Sequence, residues 1–330
     1  MAYNDAITRT DADALIEESV ANQIFESMAT DSMIMRLGTR LADMPAHVHR
    51  LPVLSLLPTA YFVNGDSGLK QTTKMAWENK YITAEEIAAI IPIPEAVIDD
   101  ASYPIWDQVR PQVAAALARV FDSAVLFGVN APSTWPGGLF QGTVDTSHVV
   151  NLGDITTDPK LYTAIFDEGG VLAKVEDSGY LVSGHIGAIS LRAKLRGLRD
   201  TNGNPLFVRA MQEGTRYELD GEPIEFPRNG AWLTSLTYSG NTYTNPLLIS
   251  GDFTQLVWSF RQGLRWKLLD QAVIQDGSGN IIYNLAQQDM VALRVTVRLG
   301  WQLPNPVNPV DGSANRYPFA ALAESVAAAA

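Results

Sequence analysis

The chain has 330 residues, 46% of them hydrophobic and only 18% charged, with a formal net charge of −12. That much apolar material excludes disorder over most of the length, and the acidic balance excludes wrapping nucleic acid by bulk charge, which needs a basic field. The Cys count of 0 excludes disulfide scaffolds, thiolate zinc sites and cysteine nucleophiles, and it suits a reducing cytoplasm.

Length allows roughly two domains at ~150 residues each. The first residues carry acids and no apolar core, so they do not read as a signal peptide, and no run reaches the ~18 apolar residues of a membrane helix. Residues 11–36 are predicted to be helical. Asp11 or Asp13 can cap the segment, and Leu15, Ile16, Val20, Ile24 and Phe25 recur near the 3.6 period. No partner for this amphipathic face follows nearby, so it reads as an arm that lies on something else.

From His47 the period changes. Tyr61, Phe62 and Val63 lead into Asn64-Gly65-Asp66-Ser67-Gly68, and Lys70, Lys74, Trp77 and Tyr81 run outward again. Asn-Gly between two extended runs predicts a β-hairpin with strands flanking that turn. A two-stranded hairpin is marginal alone in water, so it must lie against another surface.

Residues 95–128 carry the clearest helical signal. Ser102 can cap it and Pro104 suits its first turn. Ile105, Trp106, Val109, Val113, Ala116, Leu117, Val120, Phe121, Ala124 and Val125 form one apolar stripe. Pro111 predicts either a kink or the start of a second helix. Gly128 ends the helix, and residues 131–138 form a Pro-Gly loop. Further along, residues 161–175 read as a helix, Tyr180-Leu181-Val182 as a buried strand, and residues 186–198 as another helix. Residues 200–205 form a turn cluster, and residues 257–274 and 290–299 read as strands. Val291, Leu293, Val295, Val297 and Leu299 alternate strictly, the mark of a half-buried strand. The whole is α+β, with mixed elements and no internal repeat.

No constellation of reactive residues emerges. Ser67 sits in a Gly-Asp-Ser-Gly run that resembles a serine nucleophile's surroundings, yet a turn rich in Asn, Gly and Asp explains every letter. His47 and His49 could place two imidazoles on one face of a strand; without further ligands they read as a solvated or interface pair. The clusters at residues 200–204 and 276–280 have calcium-loop flavour but lack a glutamate at the twelfth position, so they read as turns. Arg192, Lys194, Arg196 and Arg199 form the one basic cluster, on a predicted helix, and read as a solvated face.

In this order the elements resemble the major capsid proteins of tailed bacteriophages, with the Hong Kong 97-type fold. The resemblance rests on an ordered set of motifs: Ser32-Met33-Ile34-Met35-Arg36-Leu37 at the end of the arm, the hairpin, the helix ending in Leu126-Phe127-Gly128, and Pro136-Gly137-Gly138-Leu139. It continues with Gly203-Asn204-Pro205-Leu206, Ser250-Gly251-Asp252-Phe253 and the strand from Val291 to Trp301, closing on Pro318-Phe319-Ala320. It implies an N-terminal arm (1–46), an extended loop (47–93), a peripheral domain with a spine helix (94–155), an axial domain (156–284) and a peripheral return (285–330).

The implied function is structural and not enzymatic, with no cofactor and no metal. Hexamers and pentamers would assemble into an icosahedral head enclosing double-stranded DNA without sequence-specific binding, and no membrane is involved. The implied inter-subunit contacts are Tyr61, Phe62, Asn64, Gly65, Asp66, Lys70, Lys74 and Trp77 on the extended loop, and Leu15, Ile16, Val20, Ile24 and Phe25 on the arm. The short arm implies a separate scaffolding protein, and a portal is a further expected partner. Localisation would be the virion capsid, assembled in the host cytoplasm. Some members join a hairpin Lys to a neighbour's Asn; Lys70, Lys74, Asn305 and Asn308 are the residues of that type here, and no crosslink is expected. The alternative is an encapsulin-type shell, which shares this fold and encloses protein cargo.

Overall fold

The computed structural model describes residues 28, 32–63, 69–100, 105–156, 159–199 and 218–328. The arm residues Leu15, Ile16, Val20, Ile24 and Phe25, the hairpin tip at 64–68 and the turn cluster at 200–205 lie outside the described residues.

The strict alternation beginning at Val291 becomes β14 (Met290–Gln302), where Val295, Val297 and Leu299 are fully buried and Arg294 and Arg298 face out. It pairs antiparallel with β11 (Val257–Leu269) on one side and β4 (Glu85–Pro94) on the other. The short β1 (Thr39–Arg40) adds in parallel beside β11, giving the order β1-β11-β14-β4.

A second sheet has the order β5-β15-β10-β6-β8-β7, with β9 also on β10. Its members are β5 (Val149–Asn151), β6 (Gly184–Gly187), β7 (Glu218–Leu219), β8 (Glu222–Glu225), β9 (Ser235–Tyr238), β10 (Asn241–Gly251) and β15 (Phe319–Ala328). Residues 319–323 of β15 are apolar without interruption because this strand is covered on both faces. Phe319, Ala321 and Ala323 join the larger core, while Ala320 and Leu322 join a second core on the opposite face.

The larger core is closed by the helix α3 (Ile105–Phe127), whose Leu117, Phe121 and Val125 pack toward both sheets. It is preceded by α1 (Met33–Leu37) and α2 (Glu95–Asp100). The smaller core lies under α5 (Lys160–Phe166), α6 (Val171–Asp177) and α7 (Ile189–Gly197), while α4 (Leu139–Asp145) packs on the larger one.

Several elements differ from the sequence expectation. The single helix at 161–175 is two helices, because Gly169 takes a left-handed φ of 78° and Gly170 turns back onto the Asp167 carbonyl. The strand expected at Tyr180-Leu181-Val182 is Gly184–Gly187 instead, and Leu181 is 79% exposed. The Gly184 and Gly187 positions let two neighbouring strands close on this buried segment, a signal that β-propensity does not carry. Ile186 consequently lies in that strand and not in the next helix. No new helix begins at Pro111, which lies inside α3. The apolar stripe of α3 is also rotated: Ala116 and Val120 are exposed, while Ala114 and Ala118 are buried, because the polar Asp122 is turned inward.

Candidate functional site

The strands β2 (Val48–Leu56) and β3 (Ala76–Thr83) pair only with each other among the described residues. Val48 faces Thr83 and Leu54 faces Trp77, so the register centres on Gly65 and Asp66 of the sequence. The ladder does not flank that turn as expected; it stops at Leu56 and Ala76. Pro58 has no N–H to continue it. Two side-chain bonds carry on across the gap: Thr59 N–H donates to Thr73 Oγ1 at 2.8 Å, and Tyr61 OH donates to the Gln71 carbonyl at 2.9 Å.

The root of this hairpin is fastened firmly. Lys80 Nζ donates to the Leu303 carbonyl at 3.0 Å, and burial lowers its pKa. Gln302 Nε2 donates to the Tyr81 carbonyl, Val307 N–H to the Leu54 carbonyl and Trp135 Nε1 to the Thr83 carbonyl. Gly300 sits so close to Thr83 that a Cβ there would collide with its carbonyl oxygen.

The outer part is bare. Phe62 is fully exposed, Leu69 is 90% exposed and Trp77 63%, with Tyr61, Val63 and Met75 exposed beside them. Lys70 and Lys74 are exposed too. Thus Tyr61, Phe62, Lys70, Lys74 and Trp77 share one projecting element, while Asn64, Gly65 and Asp66 lie outside the described residues. An apolar surface on a two-stranded ribbon needs a partner to leave water.

The sequence reading missed a second bare hairpin. Strands β12 (Val273–Gln275) and β13 (Ile281–Asn284) pair antiparallel and expose Val273, Ile281, Ile282 and Tyr283. The available signal was the turn cluster between two β-branched runs. Asp276 holds that turn, its Oδ1 accepting from the Ser278 and Asn280 N–H groups. Hydrogen bonding depresses this carboxyl's pKa.

Other singled-out residues do not converge. His47 is exposed and His49 half-buried on β2. Arg192 lies over the Phe226 ring, Lys194 pairs with Glu324, and Arg196 and Arg199 bond carbonyls of their own helix end. Asn305 and Asn308 use their amides inside the chain, on the Arg316 and Ser178 carbonyls. Two serine–imidazole pairs occur among the described residues. His185 Nδ1 and Ser250 Oγ, 2.8 Å apart, are both fully buried inside the second sheet; the other pair is Ser178 Oγ to His148 Nε2 at 2.8 Å. The other ring nitrogen donates to the Thr146 carbonyl and not to a carboxylate, and Ser178 is buried, so the pair ties α6 to β5 and offers no nucleophile. Among the described residues no helix is long and apolar enough to cross a membrane.

Comparison with known proteins gives consistent matches. The model of the phage capsid family matches residues 12–309. The major capsid protein of Staphylococcus phage 80alpha is 23% identical over 290 residues, covering 87% of this chain and 81% of the relative. The probable major capsid protein of Mycobacterium phage L5 is 27% identical over 235 residues, covering 70% and 69%. A solved structure from Microbacterium phage Oxtober96 superposes with a TM-score of 0.73 at 29% identity, covering 96% of this chain and 99% of that one.

Proposed function

The chain belongs to the phage capsid family. It is a major capsid protein, a component of the virion that associates with its own copies into a shell, and from that premise we propose how it does so. The subunits form hexamers and pentamers in a Hong Kong 97-type arrangement, and these close into an icosahedral head around double-stranded DNA. In that arrangement residues 47–93 include the extended loop, α3 is the spine helix of the peripheral domain, and residues 156–284 form the axial domain.

The observation that carries the reading is the β2–β3 hairpin, rigid at its root and apolar where it projects. Laid across a neighbouring subunit, Tyr61, Phe62 and Trp77 become the buried aromatic anchors of an interface, and Lys70 and Lys74 its polar rim. The β12–β13 hairpin offers a second apolar contact toward another copy. The arm residues Leu15, Ile16, Val20, Ile24 and Phe25, together with Asn64, Gly65 and Asp66, complete the proposed contacts.

The net charge of −12 supports DNA held by confinement and not by grip, since an acidic lining gains little from counterion release. A separate scaffolding protein and a portal are the further proposed partners, with assembly in the host cytoplasm. Nothing favours the encapsulin alternative, because the family match and the relatives are phage capsid proteins.

The test is expression of the full chain, followed by negative-stain electron microscopy and light scattering. Shells or capsomer rings are expected, and they should be lost when Phe62 and Trp77 are both changed to Asp while circular dichroism of the subunit is unchanged. Shells that still form with both changes would sink the assigned role of the hairpin. Nuclease-protected DNA in particles from infected cells supports the phage head, and protein cargo without DNA supports the alternative.

A further inference from the structure

Asp122 is a carboxylate in the middle of an apolar helix face, and its residue has no exposed surface. It receives four hydrogen bonds. Ser32 Oγ donates to Oδ1 at 2.6 Å and the Ile34 N–H to the same oxygen at 3.4 Å. The Met33 N–H donates to Oδ2 at 3.2 Å and Asn229 Nδ2 at 3.0 Å. Ser32 Oγ in turn accepts from the Met35 N–H, capping α1. One side chain on α3 thus holds a segment nearly ninety residues away in sequence and a turn more than a hundred residues ahead.

Beyond this point the chain is stitched down independently. Gly38 is pressed against Leu256, Thr39 and Arg40 pair with β11, and the Leu41 and Met44 N–H groups bond the Trp258 and Phe260 carbonyls. Residues 32–37 can therefore lift about Gly38 without disturbing the sheet, opposed by Asp122, the buried Met33, Ile34 and Met35, the partly buried Leu37 and the half-exposed Arg36–Glu225 ion pair.

We propose that Asp122 is a pH-responsive latch that fastens the root of the N-terminal segment to the long helix, held more tightly in mild acid than at neutral pH. The physical reason is that every partner is neutral. Arg36 on α1 is drawn to Glu225 at 3.1 Å, Arg119 on α3 lies beside Gly230, and Arg228, next to Asn229, is exposed. Among the described residues no cation compensates the buried charge, so four neutral donors offset only part of the lost hydration. Burial accordingly raises the Asp122 pKa to about 6, against 3.8 for a solvated carboxyl. When the segment lifts, water reaches the carboxylate and its ordinary acidity returns. The docked state therefore binds a proton more tightly than the lifted state, and docking strengthens as pH falls through about 6.

The experiment is amide hydrogen exchange on full-length protein, read in peptides spanning residues 28–38 and corrected for the intrinsic pH dependence of exchange. Protection in the wild type should rise about tenfold from pH 7 to pH 5, as two states with these acidities require. In D122N, which keeps the shape and cannot titrate, the profile should be flat. The β10 amides around Leu248–Ser250 serve as the control and should not follow the same curve. A flat or falling wild-type profile would overturn the proposal even if D122N fails to fold. So would a rise that survives in D122N, or an equal rise in β10, which would mean that the whole subunit and not the latch is titrating.

Discussion

Strand β15 and the β2–β3 hairpin are both β-structures rich in apolar side chains, and they meet opposite fates. In β15, Phe319 through Ala323 are covered on both faces by helices and by the rest of their sheet. In the hairpin, Phe62, Leu69 and Trp77 stand in water. Apolar content therefore does not say where burial happens. The number of neighbouring strands does: β15 has β10 and β5 beside it, and among the described residues the hairpin strands pair only with one another. The first region completes its burial by folding, and in the proposed shell the second does so by association. A capsid subunit needs both, a core that survives alone and an edge that does not.

The comparison breaks most sharply in the core. Phe121 is fully buried and meets Trp135 edge to face at 6.1 Å. Phe121→Ala should destabilise the free subunit by about 3–5 kcal/mol, measured by urea unfolding. An effect under about 1 kcal/mol would mean that α3 does not carry the core.

Acid should also act on the buried side. His185 bonds Ser250 Oγ and the Leu219 carbonyl, and burial pushes its pKa down to about 4 from 6.5. The unfolded chain takes up this proton first. Its contribution is therefore complete above pH 6.5 and falls by about 3 kcal/mol as pH drops to 4. Asp122 works the other way, gaining about 2 kcal/mol over pH 6 to 4. D122N should consequently show an acid decline steeper than the wild type by about that amount, read from unfolding at pH 7 and pH 4.

On the hairpin the expected readout changes. Trp77→Asp should leave the free subunit within ~0.5 kcal/mol of the wild type and raise the concentration needed for assembly about thirtyfold, the loss of one interface anchor worth ~2 kcal/mol. Equal damage to both quantities would erase the distinction between the two regions. The smallest effect is expected at Lys194→Met, where the ion pair with Glu324 of β15 is about one third exposed. Unfolding should shift by no more than about 1 kcal/mol and weaken further with salt.

The α+β class, the long helix before Gly128, the half-buried strand at residues 290–299 and the existence of a hairpin near Gly65 were legible in the sequence, because periodicity and Asn-Gly turns act over a few residues. The ordered motifs also made the family legible. The split of residues 161–175 turned on one left-handed glycine. The strand at Gly184–Gly187 carries little β-propensity and exists because β10 and β8 close on either side of it. The rotation of α3 was hidden for the same reason. An aspartate in an amphipathic pattern reads as outward, and only Ser32, Met33, Ile34 and Asn229, distant in sequence, turn Asp122 inward. Likewise Val273 and Ile281 form a second bare hairpin because no described element covers them, which no local pattern records. Local geometry is written in neighbouring residues, whereas burial is decided by which distant segments arrive, and only the tertiary structure assembles those.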